Sequence, residues 1–553
     1  MSSNTDPILP TQAPVTLSDP DACEWDQHCD VLVVGLGAAG ASTAISACEN
    51  GANVLVLDRF GNGGATAKSG GIVYAGGGTP PQQRAGIEDS PQNMFNYLKL
   101  EVDDAVSDET LQQFCNDSPG LISWLESMGA RFDSQAPFPK TSYPRNGVFL
   151  YYSGNEALAE SAAVATPAPR GHRTADDGLS GPRLFAVLEQ RVRQLEIPVL
   201  KQCAVHRLIQ DESGRVIGVE YVMLPATSRA AQQHAKLIKK ADKVHEALPG
   251  WADKLRLKAR ALEREHGIVQ RARARHGVVL CTGGFVFNTD MVREHAPKFA
   301  NNMRLGSTGC DGSGIRLGHS VGAELGRMDK ASAWRFINPP QALIKGVAVN
   351  AAGQRFCVES AYGARIGVSM CETAEGQAWL ILDKATRSQA WKQIFRDGLW
   401  FFQSIPALFL ILLAKRAPDL ATLERKAGIP AGNLQATVAR YNQGASGEQP
   451  DAFNKLPEAM QPLSQPPFSA LNISANNPLF PLPTITLGGL RVNEKTGAVR
   501  NTQGQDIAGL YAAGRSAIGV ASNNYVSGLS IADCLWSGRR TGRTLAALAT
   551  GRS

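Results

Sequence analysis

Short apolar runs that end in glycine-rich turns occupy both ends of the chain. In "DVLVVGLGAAG", residues 30–40, an apolar run leads directly into a G-x-G-x-x-G turn, and a helical stretch follows. In the later segments "VVLCTGGF" and "GLYAAGR" an apolar run likewise leads into glycine. "GRVIGVEYVML" alternates apolar and polar positions behind Ser213-Gly214, which predicts a hairpin. Buried strands alternating with helices predict an α/β nucleotide-binding fold.

Longer helical stretches and more aromatic residues distinguish the middle of the chain, residues 327–467. The segment "LATLERKAGIPAGNLQATVARYNQ" predicts a helix pair. After it, short apolar runs followed by glycine occur again, and "SGLSIADCLWSGRRTGRTLAALA" predicts a C-terminal helix. We therefore predict one discontinuous nucleotide-binding domain with a second domain inserted into it.

The first glycine-rich turn has the spacing that a dinucleotide requires. Gly35 allows the tight turn, Gly37 lets a pyrophosphate approach the backbone, and Gly40 lets the helix pack on the strand. The following helix offers its N-terminal amides to the phosphates. Asp58 ends the next strand, at the offset expected for a carboxylate that binds a ribose hydroxyl. The loop 62–79 is rich in Gly, Ser and Thr, which predicts backbone lying against a flat cofactor.

Composition excludes several classes of protein. The chain has 553 residues, and its hydrophobic fraction of 43% can build a large core. Ten cysteines occur without a C-x-x-C pair or metal-ligand spacing, so we expect ordinary thiols and no metal site. The N-terminal segment lacks a basic region followed by an apolar one, which predicts a cytoplasmic protein with an extended arm at residues 1–26.

The positive charge is concentrated in one segment. Residues 229–275 hold 13 Lys and Arg against 5 Asp and Glu, whereas the rest of the chain holds 43 and 45. The segment predicts two helices broken at Pro249-Gly250, which form either a solvated hairpin or a surface for anionic lipid. Nucleic-acid binding is not expected, because Trp251 is the one aromatic residue beside these charges.

A second unusual segment, residues 399–414, is strongly apolar. It is shorter than the roughly 20 residues that a membrane-spanning helix needs, and Gln403, Ser404 and Pro406 interrupt it. Two interpretations stay open: a buried element that lines a substrate cavity, or an exposed apolar entrance that dips into a membrane.

Seven motifs in order resemble the flavoproteins grouped around fumarate reductase and the 3-ketosteroid dehydrogenases, over residues 29–549. They are "VVGLGAAG", "GGATAKSGG", "VVLCTGGF", "GSTGCDGSG", "VNAAGQRF", "LGGLRVN" and "GLYAAGR". The resemblance implies non-covalent FAD in a glutathione-reductase-like Rossmann domain with an inserted α+β catalytic domain. The expected bounds are 27–305 and 476–553 for the FAD-binding domain, including a basic insertion at 226–275, and 306–475 for the catalytic domain.

A loop near the C-terminus indicates which reaction of this family the chain catalyses. "NYVSGLS" is similar to the Tyr-x-Ser-Gly loop of the 3-ketosteroid Δ4-(5α)-dehydrogenases, enzymes of bacterial steroid degradation. It lacks both prolines and one glycine of the Tyr-Pro-Gly-Pro-Gly-like loop of the Δ1 enzymes. "YYSGNE" and "GGIVYAGGGT" also look similar to the Δ4 type. The implied reaction makes a C4–C5 double bond in a 3-oxo-5α-steroid, with proton removal from C4 and hydride transfer from C5 to flavin N5.

The resemblance also implies roles for residues of this chain. Ser527 would accept the C4 proton and pass it through Tyr525 and Tyr362, with the Gly528 amide or a tyrosine hydroxyl at the C3 oxygen; the two tyrosines could exchange roles. The motifs place the cofactor contacts at Gly35, Gly37, Ala38, Ala39, Gly40, Asp58, Arg59, Thr66, Ala67, Ser69, Gly70, Gly71, Ala204, Thr282, Gly283, Gly514, Ser530 and Ile531.

Other interpretations stay open at the level of sequence. Ser527 or Ser530 could instead cap the C-terminal helix. The chain could be a Δ1-dehydrogenase, or a fumarate-reductase-like reductase of an unsaturated acid. For the acid, Arg355, Arg365 and Arg539/Arg540 are present without a convincing dicarboxylate set. A third interpretation is a non-enzymatic flavin-bound membrane or partner protein. The electron acceptor is not indicated.

Overall fold

The computed structural model describes residues 10–133 and 140–551. The strands in these ranges are β1 Val15–Leu17, β2 Gln27–Val34, β3 Val54–Asp58, β4 Ile72–Tyr74, β5 Leu150–Tyr151, β6 Gly171–Arg173, β7 Val199–Lys201, β8 Cys203–Asp211, β9 Val216–Met223, β10 Ile268–Leu280, β11 Met303–Arg304, β12 Leu325–Gly326, β13 Ala331–Ala333, β14 Val347–Asn350, β15 Ala378–Leu382, β16 Lys415–Ala417, β17 Phe468–Asn472, β18 Pro483–Thr486, β19 Gly489–Leu490, β20 Ala498–Arg500 and β21 Asp506–Ala512. The helices are α1 Ala38–Glu49, α2 Pro80–Arg84, α3 Pro91–Val102, α4 Asp108–Ser127, α5 Ala159–Ala162, α6 Gly181–Gln194, α7 Arg229–Val244, α8 Pro249–His266, α9 Thr289–His295, α10 Ser313–Ser320, α11 Gly363–Thr373, α12 Lys384–Arg396, α13 Phe401–Leu412, α14 Leu420–Ala427, α15 Asn433–Ala445 and α16 Leu529–Thr550.

A nine-stranded sheet organises the nucleotide-binding part. Its strands run in the order β1-β8-β9-β10-β2-β3-β7, and β21 pairs with β10 while β20 pairs with β21. Strands β10, β2, β3, β7 and β21 are parallel along their shared edges, whereas β8, β9 and the first half of β10 form an antiparallel ribbon. The predicted α/β fold with a parallel sheet is therefore confirmed, and so is the hairpin at Ser213-Gly214.

Helices α1 and α16 pack closely on one another because small residues line their contact. A Cβ on Gly542 would lie 2.4 Å from the carbonyl oxygen of Thr43, and one on Gly538 would lie 2.5 Å from that of Ala39. Helix α1 starts from the first glycine-rich turn and α16 starts from the loop "NYVSGLS". The close packing therefore fixes the two predicted functional loops relative to each other.

The middle of the chain builds a second layer with its own sheet. Strands β14-β15-β17-β16 form a four-stranded antiparallel sheet, and the predicted helix pair is present as α14 and α15. The domain bounds stay a prediction. Strand β18 lies after residue 476, yet it pairs with β11 on one side of the boundary at 306 and with β13 on the other.

The two unusual segments both form helices. The basic segment contains the helix pair α7 and α8, inserted between β9 and β10, with the predicted break at Pro249. The apolar segment forms the single helix α13. No helix among the described residues combines the length and apolarity that crossing a bilayer requires.

Candidate active site

A cleft opens where β2, β3 and β10 end. The carboxyl edge of a parallel sheet is where nucleotides bind in folds of this type. Half of the predicted cofactor contacts line this cleft: Gly35, Gly37, Ala38, Ala39, Asp58, Arg59, Thr66, Thr282 and Gly283. The structure thus brings together residues from the first glycine-rich turn, from the end of β3 and from the segment that follows β10.

The three glycines of the first turn differ in their surroundings. Gly35 has a φ of +101°, and a Cβ there would lie 2.6 Å from the carbonyl oxygen of Cys281. A Cβ on Gly40 would lie 1.9 Å from the carbonyl oxygen of Gly35, so this glycine serves helix packing. At Gly37 the nearest atom would be the Thr66 hydroxyl, 3.5 Å away, which leaves the backbone accessible from the cleft.

Asp58 is the last residue of β3 and Arg59 follows it, and both side chains already have partners within the protein. The Asp58 carboxylate accepts hydrogen bonds from the amides of Leu36 at 2.8 Å and Phe60 at 3.1 Å. Arg59 forms ion pairs with Glu263 of α8 at 2.8 Å and with Asp311 at 3.0 Å. The basic helix pair therefore braces one wall of the cleft.

The other predicted contacts lie outside the residues that line the cleft. A Cβ on Gly70 would lie 2.6 Å from the Tyr143 ring, which places that glycine under an aromatic side chain. Ala204 is buried in β8, where its neighbours Cys203 and Val205 line the cleft instead. Contacts of the cofactor with this group stay a prediction: Gly40, Ala67, Ser69, Gly70, Gly71, Ala204, Gly514, Ser530 and Ile531.

Arg515 lines the cleft and was not among the sequence-based predictions. Its Nη2 donates to Cys310 Sγ at 3.3 Å, whereas its buried Nη1 has no hydrogen-bond partner among the described residues. A buried donor without a partner is costly, so this side chain suits a ligand that presents an acceptor. An isoalloxazine ring carries such acceptors, and the cleft residues therefore fit an FAD. The arginine ends the quoted motif "GLYAAGR", which was the available signal.

A serine and three tyrosines meet beside the start of α16. The Tyr151 hydroxyl donates to Ser527 Oγ at 3.4 Å. The Ser527 side chain also lies close enough to Tyr362 to lower the pKa of that phenol. Tyr525 interacts electrostatically with Tyr362 and with Arg515. Ser527 and Tyr362 were predicted to meet, whereas Tyr151 lay in the quoted "YYSGNE" without an assigned role.

The backbone of this loop is clamped from two sides. The Ser527 amide donates to the Ser153 carbonyl oxygen at 3.2 Å, and the Ser153 hydroxyl donates back to the Ser527 carbonyl oxygen at 3.2 Å. The Tyr74 amide donates to the Gly528 carbonyl oxygen, also at 3.2 Å. The two stretches with a family likeness, "GGIVYAGGGT" and "YYSGNE", therefore hold the loop that contains Ser527.

Burial keeps the phenols of this cluster protonated. It raises the pKa of Tyr525 to about 12, against a backbone hydrogen bond from Gly528 that acts in the opposite direction. Burial likewise raises the pKa of Tyr362 and of Tyr151 well above the usual range, although Ser527 lowers both. At neutral pH the cluster consists of uncharged hydroxyls that can donate and accept hydrogen bonds in relay.

The interpretation of Ser527 or Ser530 as a helix cap is wrong. The residue before α16 is Gly528, with a φ of +91°, and no side chain caps this helix. Ser530 stands at the second helical position, and the Ser527 hydroxyl is held by tyrosines instead. A left-handed φ suits glycine because a Cβ would be strained there.

Aromatic side chains form one wall beside the tyrosines. Trp334 lies 5.2 Å from Tyr525 and Phe336 lies 5.6 Å from Tyr362, between ring centroids. The Trp334 and Phe336 rings stack at 6.3 Å. Sequence reasoning missed both, although their spacing of two positions after β13 predicts a shared face on an extended chain.

The arginines considered for a dicarboxylate site have protein partners. Arg355 pairs with Glu359 at 2.7 Å and with Asp451 at 2.5 Å. Arg365 pairs with Glu160, and Arg540 donates to the carbonyl oxygen of Glu494. Arg539 lies over the ring of Trp124 at 4.5 Å. None of the four joins the serine–tyrosine cluster in the part of the chain that the structure describes.

The comparisons with known proteins place this chain among flavoproteins. The sequence profile of the FAD binding domain family matches residues 30–531. The 3-oxo-5-alpha-steroid 4-dehydrogenase of Comamonas testosteroni is 40% identical, over 92% of this chain and 96% of the relative. The 3-oxosteroid 1-dehydrogenase of Mycolicibacterium smegmatis is 25% identical, over 90% and 94%.

Among solved structures, one similar fold is that of 3-ketosteroid-delta4-(5alpha)-dehydrogenase from Rhodococcus jostii RHA1 in complex with 4-androstene-3,17-dione. It superimposes with a TM-score of 0.81 and 31% identity, over 97% of this chain and 100% of that one.

Proposed function

Because this chain belongs to the FAD binding domain family, and is a flavin-dependent oxidoreductase of the steroid dehydrogenase type, we propose that it is a 3-ketosteroid Δ4-(5α)-dehydrogenase. It would oxidise a 3-oxo-5α-steroid to the 4-ene-3-ketone. The observation that carries this proposal is the uncharged cluster of Ser527 with Tyr151, Tyr362 and Tyr525 beside the nucleotide cleft. An apolar ketone suits such a site, because the aromatic wall can bind its hydrocarbon part and the hydroxyl groups can hydrogen-bond and exchange protons at its ketone end.

We propose that Ser527 removes the proton from C4 of the steroid. A neutral serine is a weak base, so it needs a neighbour that takes its own proton as it accepts another. Tyr151 donates to Ser527 and orients its hydroxyl, and the neighbouring Tyr362 is the group that takes the proton of Ser527 and passes it on. FAD, when bound, supplies the acceptor for the hydride that leaves C5.

The C3 oxygen of the steroid gains negative charge as the C4 proton leaves. A donor that is already aimed at this oxygen lowers the barrier, because no reorganisation is needed during the reaction. We assign this role to the Tyr525 hydroxyl together with the amide of Gly528, which lies close enough to Tyr525 to lower the pKa of that phenol.

We propose that FAD is held non-covalently. The glycines at 35 and 37 and the start of α1 suit the pyrophosphate, and Asp58 suits the ribose. The free Nη1 of Arg515 suits the ring end of the flavin, on the side that faces Tyr525. Residues 306–475 are proposed to cover the flavin as the substrate domain, and 27–305 with 476–553 to bind it.

Two alternatives predict different reactions with the same flavin. A Δ1-dehydrogenase would oxidise 4-androstene-3,17-dione further, to a 1,4-diene. A reductase of an unsaturated acid would reoxidise reduced flavin with fumarate, but the partnered arginines disfavour it. The test is turnover of each steroid with an artificial electron acceptor, and of fumarate with reduced viologen as electron donor, with products identified by mass and ultraviolet spectrum. The proposal requires oxidation of 5α-androstane-3,17-dione to the 4-ene product and little reaction of the other two.

We also propose that the protein is cytoplasmic and makes peripheral contact with a membrane. The basic helix pair α7 and α8 contributes little to that contact through the side of α8 that faces the protein. There Arg256 forms an ion pair with Asp253, and Arg260 forms one with Glu263. The apolar segment 399–414 is the better candidate.

A further inference from the structure

Helices α12 and α13 expose a group of large apolar side chains that no other element covers. Eight such residues fall within 23 positions, and they include every exposed phenylalanine among the described residues. We name this group the docking face: Trp391, Phe395, Phe401, Phe402, Ile405, Phe409, Leu412 and Leu413. Phe401 is 71% exposed, and Phe395 and Leu413 are each 65% exposed. Exposed apolar patches of this kind are uncommon on proteins that act alone in water.

The exposed residues of α13 form one stripe along the helix. Phe401, Ile405 and Phe409 are spaced by four, so they lie on one side, while Ala407, Leu410 and Ile411 are buried on the other. A helix of 12 residues is about 18 Å long, which is short of the roughly 30 Å of a bilayer core. The helix can therefore lie in an interface but cannot cross it.

Basic residues stand around the docking face. Lys392 and Arg396 are exposed on α12, and Lys415 and Arg416 are exposed after the C-terminal end of α13. Asp397 is the one exposed acidic residue within 384–416. An apolar stripe rimmed by Lys and Arg is the arrangement of helices that lie in the interface of anionic membranes. A second copy of the chain fits less well, because a two-fold contact would bring these basic rims together.

The docking face is continuous with the reactive cluster. The Tyr143 ring packs on Trp400 at 6.2 Å and on Phe402 at 6.1 Å, between centroids. Tyr143 belongs to the same apolar group as Ile72 and Tyr151, and Tyr151 holds Ser527. Apolar contacts thus run from the exposed end of α13 to the catalytic serine.

We propose that the docking face seats this protein on a bilayer containing anionic lipid, so that a sparingly soluble 3-ketosteroid reaches Ser527 from the lipid side. The steroid part of this inference rests on the proposed dehydrogenase reaction, whereas the lipid contact specifies the proposed membrane contact and does not depend on that reaction. Trp400, Phe402 and Tyr143 are the aromatic residues that separate the bilayer from the site.

Vesicle flotation with the FAD-loaded protein tests the lipid contact. Phosphatidylcholine vesicles with and without phosphatidylglycerol are compared at low salt. The triple variant Phe401→Ser, Phe409→Ser, Leu413→Ser should bind at least tenfold more weakly. A matched variant Val164→Ser, Leu179→Ser, Leu548→Ser, which removes exposed apolar side chains elsewhere, should bind like the wild type. Lys392→Gln with Arg396→Gln should weaken binding to anionic vesicles by roughly tenfold or more.

Three outcomes would overturn the lipid contact. The first is equal flotation of the wild type and the Phe401, Phe409 and Leu413 triple variant, and the second is no flotation of either. The third is a wild-type protein that does not bind vesicles and is a dimer by sedimentation velocity, while the triple variant is a monomer. Turnover of cyclodextrin-dispersed steroid without vesicles tests the proposed function separately. The triple variant should retain that turnover but lose the acceleration that vesicle-borne steroid gives the wild type, and an unchanged acceleration would overturn delivery from lipid.

Discussion

The Tyr151 hydroxyl donates a hydrogen bond to Ser527 Oγ at 3.4 Å, across 376 positions of the chain. Tyr151 belongs to a short strand of the first half of the chain, whereas Ser527 precedes the last helix. The contact orients a hydroxyl that would otherwise rotate freely, and it leaves the hydrogen of Ser527 available to Tyr362. The reactive group therefore depends on the folded chain as a whole rather than on one local motif.

Replacing Ser527 with alanine should abolish reduction of the flavin by a 3-oxo-5α-steroid. A positioned base contributes about 10²- to 10⁴-fold, so the rate constant measured by anaerobic stopped-flow should fall by that range. Bound FAD should be unchanged, because Ser527 does not line the cleft. Ser123→Ala, on the exposed side of α4, is the control, and its rate should stay within a few-fold of the wild type. An unaffected Ser527→Ala variant would contradict the assigned role.

The two tyrosines that hold Ser527 should differ when each is changed to phenylalanine. Tyr151→Phe removes one orienting hydrogen bond, worth about 1 kcal/mol, and should slow flavin reduction by roughly 3- to 10-fold. Tyr362→Phe removes the relay and should cost about a hundredfold. Only Tyr362→Phe should also change the solvent deuterium isotope effect on that step. Equal small losses, with the isotope effect unchanged in both, would mean that neither tyrosine carries the proton.

Glu263 should control how firmly FAD is held. Burial alone would raise the pKa of Glu263, but Arg59 and His234 bring it well below the usual range. Removing one partner of a buried pair leaves the other uncompensated. Glu263→Gln should therefore loosen Arg59 and speed FAD release at least tenfold, measured by recovery of free-flavin fluorescence on dilution. Glu265→Gln, on the exposed side of α8, should release FAD like the wild type; equal rates in both variants would contradict the bracing role.

Asp533 should make stability depend on pH. Burial raises the pKa of this carboxyl to about 6 from an ordinary value of 3.8. A group with a raised folded pKa favours folding below its unfolded pKa, and this contribution is lost as the pH rises through 6. Asp533→Asn should therefore raise the free energy of unfolding at pH 8 by up to about 3 kcal/mol and have little effect at pH 4.

Thermal unfolding at pH 4, 6 and 8 measures this difference, with the exposed Glu212→Gln as the control. A Tm difference between Asp533→Asn and the wild type that is the same at pH 4 and pH 8 would show that Asp533 does not titrate in this range.

The turns and their chemistry could be predicted from the sequence because local geometry determines them. Gly35 must adopt a positive φ, and Gly40 must admit a close backbone, so spacing alone identifies both. The hairpin and the basic helix pair were predicted for the same reason: each signal lies within a few residues. The role of Ser527 in "NYVSGLS" is instead implied by the resemblance to the steroid dehydrogenases.

The features that sequence reasoning missed depend on distant contacts. Arg515 matters because its Nη1 is buried without a partner, which no local pattern reveals. Trp334 and Phe336 line the site only because their segment packs on Tyr362 and Tyr525. Ala204 stays a predicted cofactor contact, and its neighbours Cys203 and Val205 in β8 are the residues that line the cleft.

The most direct test is to mix the FAD-loaded protein anaerobically with one equivalent of 5α-androstane-3,17-dione. Flavin absorbance and product mass are followed together. This account predicts that the yellow colour is lost and that 4-androstene-3,17-dione forms in equal amount. A flavin that stays oxidised, or a product with its new double bond at C1–C2, would contradict it.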